Sequence, residues 1–425
     1  MTGALALLLA SALAQPAVPL PEQGALHWRA ALEVAGGAQP SAPAGPAEGG
    51  FVSLLPVLAL ERGDTLGLEL GAPLRFRLPG GEGAGLRRED WDERSDLGQL
   101  LRELRLGAPD AALSLRAGPL QLATLGHGHL VSRYANTLAA DYHPAGAGAV
   151  AHLGALRLEV LASDVLALRL FAAELRVDLG RTLSASAAAW DRAHASLSLA
   201  RDVGRAGGSS GGVSAGQLDL DAALYRGRGL QLWAVAGAGA RLDSAGGAGA
   251  LVGLALDAQP RAFSVGGRLE LRRQAGGFRQ GLFDGDYELS RFSDGGLAEP
   301  SLAGQRLPAG YSGYAELSLA LGEERPDAGR LLLSLGAEYF AFGRADTDLA
   351  LSVQLPGGRA LATLRALGTG LGEHPRVAVQ AELRWRLRPA LYALATAGSV
   401  HTPRPDGRLQ QGLLATLGLG MDLAR

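Results

Sequence analysis

The 425-residue chain has no cysteine and no lysine, only 5% aromatic residues, and a formal charge of −2 from 40 basic and 42 acidic side chains. Without cysteine there is no disulfide framework, no thiolate zinc site and no cysteine nucleophile. Without lysine, the phosphate-cradling glycine loop that closes on Lys is excluded, and no dinucleotide fingerprint stands in a strand-to-helix setting. Nothing in the chain calls for a cofactor. The basic residues are all arginine, and the excess of Ala, Leu, Gly and Arg reads as the composition of a biased genome. The near-neutral balance excludes a strongly basic nucleic-acid binder. Beyond the first residues, no uncharged apolar run reaches the ~18 residues that a membrane-crossing helix needs. The longest, such as 229–240, stop near a dozen, which excludes a helical inner-membrane protein.

Residues 1–14, MTGALALLLASALA, form an apolar run closing on the small-x-small pattern Ala12-Leu13-Ala14. This predicts a secretory signal cut after Ala14, with residues 15–425 as one mature unit; no Cys follows for lipid anchoring. From there, alternation with period two recurs, the mark of a strand with one apolar and one polar face. Leu66, Leu68, Leu70, Leu74, Phe76 and Leu78 oppose Glu69, Arg75 and Arg77. Leu156, Leu158 and Val160 oppose Arg157 and Glu159; Leu175, Val177 and Leu179 oppose Glu174, Arg176 and Asp178. Leu269 and Leu271 oppose Arg268, Glu270 and Arg272, and Val377 to Leu387 alternate with Arg376, Gln380, Glu382, Arg384, Arg386 and Arg388.

Such strands suit either a soluble sandwich or a membrane barrel. The segments run ~10 to 13 residues, near the 9 to 11 of a tilted membrane strand and longer than the usual soluble strand. They continue from about residue 25 to residue 423 with no helical block, repeat or linker, an extent that only a closed wall leaves without long edges. The expected fold is therefore all-β: a single large antiparallel transmembrane β-barrel of about 16 to 20 strands, with 18 the central value. Joints such as Pro356-Gly357-Gly358 and Arg226-Gly227-Arg228-Gly229 predict tight hairpins on one rim. Segments 36–50 and 204–216 read as flexible joints, and the charged stretch 80–96 as a solvated loop whose acids do not follow the calcium-loop order. Trp28, Tyr225, Trp233, Tyr314, Tyr339, Phe342, Trp385 and Tyr392 are the expected interfacial aromatics. Outer-membrane lipid and the barrel-assembly machinery are the implied partners.

Residues 124–143, TLGHGHLVSRYANTLAADYH, depart most from this background, carrying His127, His129 and His143, three of only eight His. With 156–165 and 277–291, this segment resembles a set of large barrel-type proteins from myxobacterial-like Gram-negative bacteria. In that set a Gly-His-Gly element precedes an Arg-Tyr-x-Asn run, and a Phe-Asp-x-x-Tyr element occurs later. The matching positions are Gly126, His127, Gly128, Arg133, Tyr134, Asn136, Phe283, Asp284 and Tyr287. The resemblance implies an outer-membrane barrel and assigns no activity.

Three chemistries compete for 124–143. A His-x-His pair puts both rings on one face of a strand, where Asp141 or His143 would complete a metal site. Ser132, a histidine and Asp141 would form a hydrolytic triad acting on envelope lipid. The third reading, which we favour, is a glycine-bent stretch entering the lumen as a hydrogen-bonded constriction, with no metal and no catalytic residue. The long segment 274–311 either joins it inside or caps the outer mouth. The lumen or constriction candidates are His127, His129, Arg133, Tyr134, Asn136, Asp141, Phe283, Asp284 and Tyr287, with wall residues Arg157, Glu159, Arg176, Arg268, Glu270, Arg272, Glu382, Arg384 and Arg386. Together they describe a passive pore for small solutes or apolar compounds, weakly ion-selective because the signs balance. A non-conducting surface barrel and a lipid-hydrolysing barrel are the alternatives.

Overall fold

Alternation along a strand becomes, when strands pair side by side, a wall with a different chemistry on each face. In the computed structural model that wall closes on itself. The structure describes residues 25–38, 50–78, 85–138, 143–183, 193–203, 212–243, 246–260, 263–290, 293–294, 307–322, 328–372, 375–403 and 408–424. The signal expected over 1–14, Asp141, and residues 39–49 and 204–211 of the two expected joints lie outside them.

The wall opens with β1 (His27–Ala38), β2 (Gly50–Arg62) and a stave broken into β3 (Leu66–Leu70) and β4 (Leu74–Arg77), both paired with β2. A two-residue strand, β5 (Gly85–Leu86), hangs on β4, and two 3-10 turns lead into β6 (Leu101–Leu106). A meander follows: β7 (Leu113–Gly118), β8 (Gly146–Leu153), β9 (Leu156–Ala162), β10 (Leu170–Asp178), β11 (Ala193–Asp202) and β12 (Val213–Gly227). It continues through β13 (Leu230–Arg241), β14 (Gly247–Ala258) and β15 (Phe263–Gly276). After the short β16 (Ser293–Asp294) come β17 (Leu307–Leu321), β18 (Arg330–Phe340), β19 (Ala345–Gln354) and β20 (Ala360–Leu371). The last staves are β21 (Arg376–Arg388), β22 (Leu391–Pro403) and β23 (Arg408–Ala424). β23 pairs antiparallel with β1, from Arg29↔Ala424 to Ala38↔Ala415, so a ring of 20 staves closes. The count lies within the expected 16 to 20 and exceeds the central value of 18 by two.

A soluble sandwich is ruled out, since each stave pairs with its chain neighbours around one ring and, among the described residues, no second sheet covers the outer face. The outer face is apolar: Leu417 is 71% exposed, Leu269 66% and Val252 58%. Water does not tolerate an apolar surface that runs round a whole molecule, whereas hydrocarbon does. Trp28, Tyr225, Phe263 and Trp385 face outward near the rim that carries the ends of β1 and β23, and Phe76, Phe171, Tyr311 and Tyr339 face outward near the other. Of the other expected belt residues, Trp233, Tyr314 and Tyr392 face inward, the Trp233 ring lying tilted against His194 at 5.6 Å between centroids. Phe342 sits in a rim turn against Phe340. Parity decides each case: the inward Asp221 pairs with Val235, two residues from Trp233.

Turns on the terminal rim are mostly short, as at Arg228-Gly229, where Gly229 takes φ +73°. The opposite rim carries the two longest excursions, after β7 and after β15. Two expected joints shrink: Gly36–Ala38 extend β1, and 213–216 extend β12. The described part of 80–96 is folded rather than freely solvated: Asp90 is fully buried, held at 2.9 Å by Arg75 and also by Arg87.

Candidate functional site

The excursion after β7 turns inward because its backbone is built to bend. Gly126 has φ +56° and sits so tightly that an added Cβ would fall on the Glu174 carboxylate. Gly128, Leu122 and Arg133 also take positive φ. The excursion after β15 enters from the same rim and bonds to the first. Gly281 N–H donates to His129 O (2.7 Å), Phe283 N–H to Leu130 O (3.0 Å) and Ser132 N–H to Phe283 O (3.0 Å). The two loops form one plug: 277–289 of segment 274–311 go inside, while 274–276 and 307–311 belong to the wall strands β15 and β17.

The plug has its own apolar core, in which Leu130, Val131, Tyr134, Phe278, Phe283 and Tyr287 are at most 1% exposed. It packs on Leu161, Leu170, Ala172, Ala200, Val213 and Ala215, inward residues of β9 to β12. The wall is apolar inside where the plug docks, because burying each large side chain stabilises by ~1.5–3 kcal/mol and a charge there would be stranded. On the opposite wall, Leu122 meets Leu332 and Ala350, and Leu138 and Leu289 meet Leu367 and Ala378.

Ion pairs pin the plug between these contacts. His129 lies between two carboxylates, Nδ1 2.9 Å from Asp219 and Nε2 2.8 Å from Glu270. His127 Nε2 lies 3.0 Å from Asp221, which also takes Arg176 at 2.8 Å and His194 at 2.9 Å. Burial works against a charged imidazole at both positions; it prevails at His127, lowering its pKa, while Glu270 and Asp219 raise that of His129. Arg133 reaches across to Asp348 (3.2 Å) and Ser334, and Arg279 bridges Asp346 (3.2 Å) and Asp284 (2.6 Å). Burial pushes the Asp284 carboxyl up to about 6 despite Arg279. Asp286 meets Arg376 at 3.0 Å, Tyr287 donates to Asp202, and Tyr134 donates to Glu288. Asn136 donates to Ser163 O (2.7 Å) and accepts from Leu120 N–H (2.8 Å). On β15, Arg268 binds Glu316 (2.8 Å) and the His127 carbonyl. Arg272 binds Glu270 (2.7 Å) and Glu338 (2.8 Å), its guanidinium 3.8 Å from the Tyr314 ring centre.

The structure thus brings together His127, His129, Arg133, Tyr134, Asn136, Arg268, Glu270, Arg272, Phe283, Asp284 and Tyr287. Tyr134, Asn136, Phe283 and Tyr287 build the plug's interior and are almost fully buried. Arg157 and Glu159 pair with each other on β9, Glu159 standing opposite Glu174, which packs against Gly126 of the plug. Glu382, Arg384 and Arg386 stand on β21, where Arg384 meets Glu33 (3.1 Å) and Arg386 meets Asp422 (3.4 Å). The partners Asp219, Asp221, Glu338, Asp346, Asp348 and Arg279 were not singled out in the sequence, although the acids in Asp219-Leu-Asp221 and Asp346-Thr-Asp348 share a strand face.

Asp141, on which the hydrolytic reading depends, lies outside the described residues. Among the described residues no group of three or more His, Asp or Glu is placed to hold a metal ion. Both imidazoles are committed to carboxylates, and no hydrogen bond among the described residues joins them to Ser132.

No family model matches the chain, and no curated protein does. Among solved structures, it is similar to OccK11 (OpdR) of Pseudomonas aeruginosa at 14% identity and TM-score 0.36, over 96% of this chain and all (100%) of that one. OpdK of Pseudomonas aeruginosa, solved with vanillate, matches at 12% identity and TM-score 0.38, over 94% and 99% of the two chains. A BenF-like porin from Pseudomonas fluorescens Pf-5 matches at 11% and 0.34, over 94% and 100%. Likenesses of this size carry no argument about this chain, whose fold rests on its own strand pairing.

Proposed function

We propose that the chain is an outer-membrane barrel that passes small solutes through a lumen narrowed by the two-loop plug. The observation that carries this is the wetness of the charged inward face beside the plug. The side chains of Arg157 and Glu382 are each 33% exposed, that of Arg386 25% and that of Arg105 21%. An apolar outside and a charged, water-reaching inside is the arrangement of an aqueous barrel. The short-turn rim with both ends of the wall is then the periplasmic one, and the plug enters from the cell surface. Lipid forms its outer solvent, and the assembly machinery inserts it. The exposed inward charges are of both signs, which favours weak ion selectivity.

The test is single-channel conductance of refolded 15–425 in a planar bilayer, with and without residues 279–306. Steady steps that enlarge on deletion support the reading; heat-resistant insertion with no steps in either form overturns it. The plug's near-complete burial favours a second reading, a barrel closed at rest, which predicts steps only after the deletion.

A further inference from the structure

Inward arginines along the wall are met by carboxylates: Arg29 by Glu69 at 2.8 Å, Arg176 by Asp221 at 2.8 Å and Arg384 by Glu33 at 3.1 Å. Arg116 is not. It stands on the inner face of β7, two residues from the buried Ser114, and among the described residues it has no hydrogen bond and no ion pair. Directly across the β6–β7 pair it faces another cation, Arg105. Like charges directly opposite on one face of a sheet are destabilising, and Arg105 has little to offset this. Its Nε is buried without a hydrogen-bond partner, Glu103 lies 3.9 Å away, and Nη2 reaches only Gly63 O, at 3.4 Å.

The row on which the two arginines stand leaves room around them. Gly67 pairs with Arg105 from one side and Gly148 with Arg116 from the other. The Arg105 guanidinium lies back over Gly67, away from β7, its Nη2 3.1 Å from where a Cβ on that glycine would stand. A Cβ on Gly148 would meet nothing nearer than Val160 O at 3.6 Å. Two carboxylates share the neighbourhood, Glu103 on β6 and Glu61 opposite Gly67, and neither bonds Arg116. Two guanidiniums splayed apart beside open, water-reached space are drawn together by an oxyanion that both can hydrogen-bond. A guanidinium fork takes two oxygens, so two forks suit an anion with oxygens all round, whereas a carboxylate is satisfied by one fork. We propose that Arg105 and Arg116 form a binding site on the inner wall for a small tetrahedral oxyanion, phosphate or sulfate. Its part in permeation rests on the channel reading above; occupancy does not.

The test is isothermal titration calorimetry on the refolded full barrel in detergent at low ionic strength, with phosphate, sulfate, acetate and chloride as separate probes. Phosphate and sulfate are expected to bind saturably, and acetate and chloride about tenfold more weakly. Arg105→Gln and Arg116→Gln should each weaken phosphate binding about tenfold. Arg116→Lys keeps the charge but loses the fork, and should recover only part of the affinity. Arg181→Gln removes the same charge from an exposed arginine after β10 and should change nothing. Heat-modifiable mobility reports the folding of each variant, and either glutamine variant stands in if the other misfolds. No saturable phosphate binding in the wild type, acetate or chloride bound as tightly as phosphate, or folded glutamine variants that bind phosphate as before would overturn the proposal. Bilayer conductance separates this failure from failure of the channel reading: a barrel that conducts without binding phosphate sinks only the site, and one that binds phosphate without conducting sinks only the channel.

Discussion

His129→Leu isolates the plug's central pin. Leucine fills similar space, so little cavity is added, but Asp219 and Glu270 lose the imidazole between them. Removing one partner of a buried pair costs ~3–5 kcal/mol, because the other charge stays behind. Glu270 keeps Arg272 at 2.7 Å and Arg268 at 3.2 Å, and Asp219 keeps the Gln217 amide at 2.6 Å. The loss therefore belongs at the lower end, about 3 kcal/mol, or roughly a hundredfold in the docked-to-undocked ratio of the plug. The wall's backbone ladder does not depend on it. Amide exchange at fixed pH is the assay: residues 125–134 should exchange about a hundredfold faster, while β12 to β15 stay protected and the barrel keeps its heat-resistant mobility. Unchanged protection of 125–134 in a folded variant would refute the claim that the pin holds the plug. Equal loss across the wall would refute the claim that plug and wall are separable.

The same pin gives a pH dependence. The pKa of His129 is raised above 6.5 in the folded state, so its contribution is full below 6.5 and is lost as pH rises through the folded value. Protease cleavage within the plug should increase on the alkaline side in the wild type and be flat in His129→Leu. Gly126→Ala drives a methyl into the Glu174 carboxylate at φ +56°, and should undock the plug or block folding, read by cleavage and heat-modifiable mobility. Leu269→Arg places a charge on the outer apolar face and should cost ~2–4 kcal/mol if the site is near the midplane, read as lost refolding into vesicles. The inward change Glu382→Gln should refold normally; if both refold alike, the inside-outside assignment is wrong.

The wall was legible because a strand's two faces are written in neighbouring residues: Leu269 and Leu271 against Arg268, Glu270 and Arg272 need no distant partner to be read. The plug was legible only as a departure. β7 stops at Gly118, at φ +132°, and the chain turns inward. What the plug grips lies far along the chain: Arg133 and Asp348 are 215 residues apart, and His129 and Glu270 141. Alternation carries no information at such separations. It also misleads where the wall becomes apolar inside, as at Leu161 and Val213, since an inward leucine under a docked loop looks like an outward one. Tyr314 and Tyr392 were assigned to the belt for the same reason, their rings being equally suited to lipid and to a stacked guanidinium.

The seam between β1 and β23 joins the two ends of the wall, and it is fastened twice. Besides the backbone ladder, Tyr392 donates to Glu33 (2.7 Å) across 359 residues, Arg384 reaches the same carboxylate, and Arg29 lies 3.6 Å from Asp422. These groups meet only in one register, because a slip by a single residue would turn Glu33 or Asp422 outward into hydrocarbon. The carboxylates thus act as a proofreading step on closure: a misaligned first and last strand would hold an unpaired charge in lipid and reopen, while the aligned pair locks. Because β16, within the second excursion, pairs in parallel with Arg408 and Leu409 of β23, this final joining is coupled to the seating of that excursion.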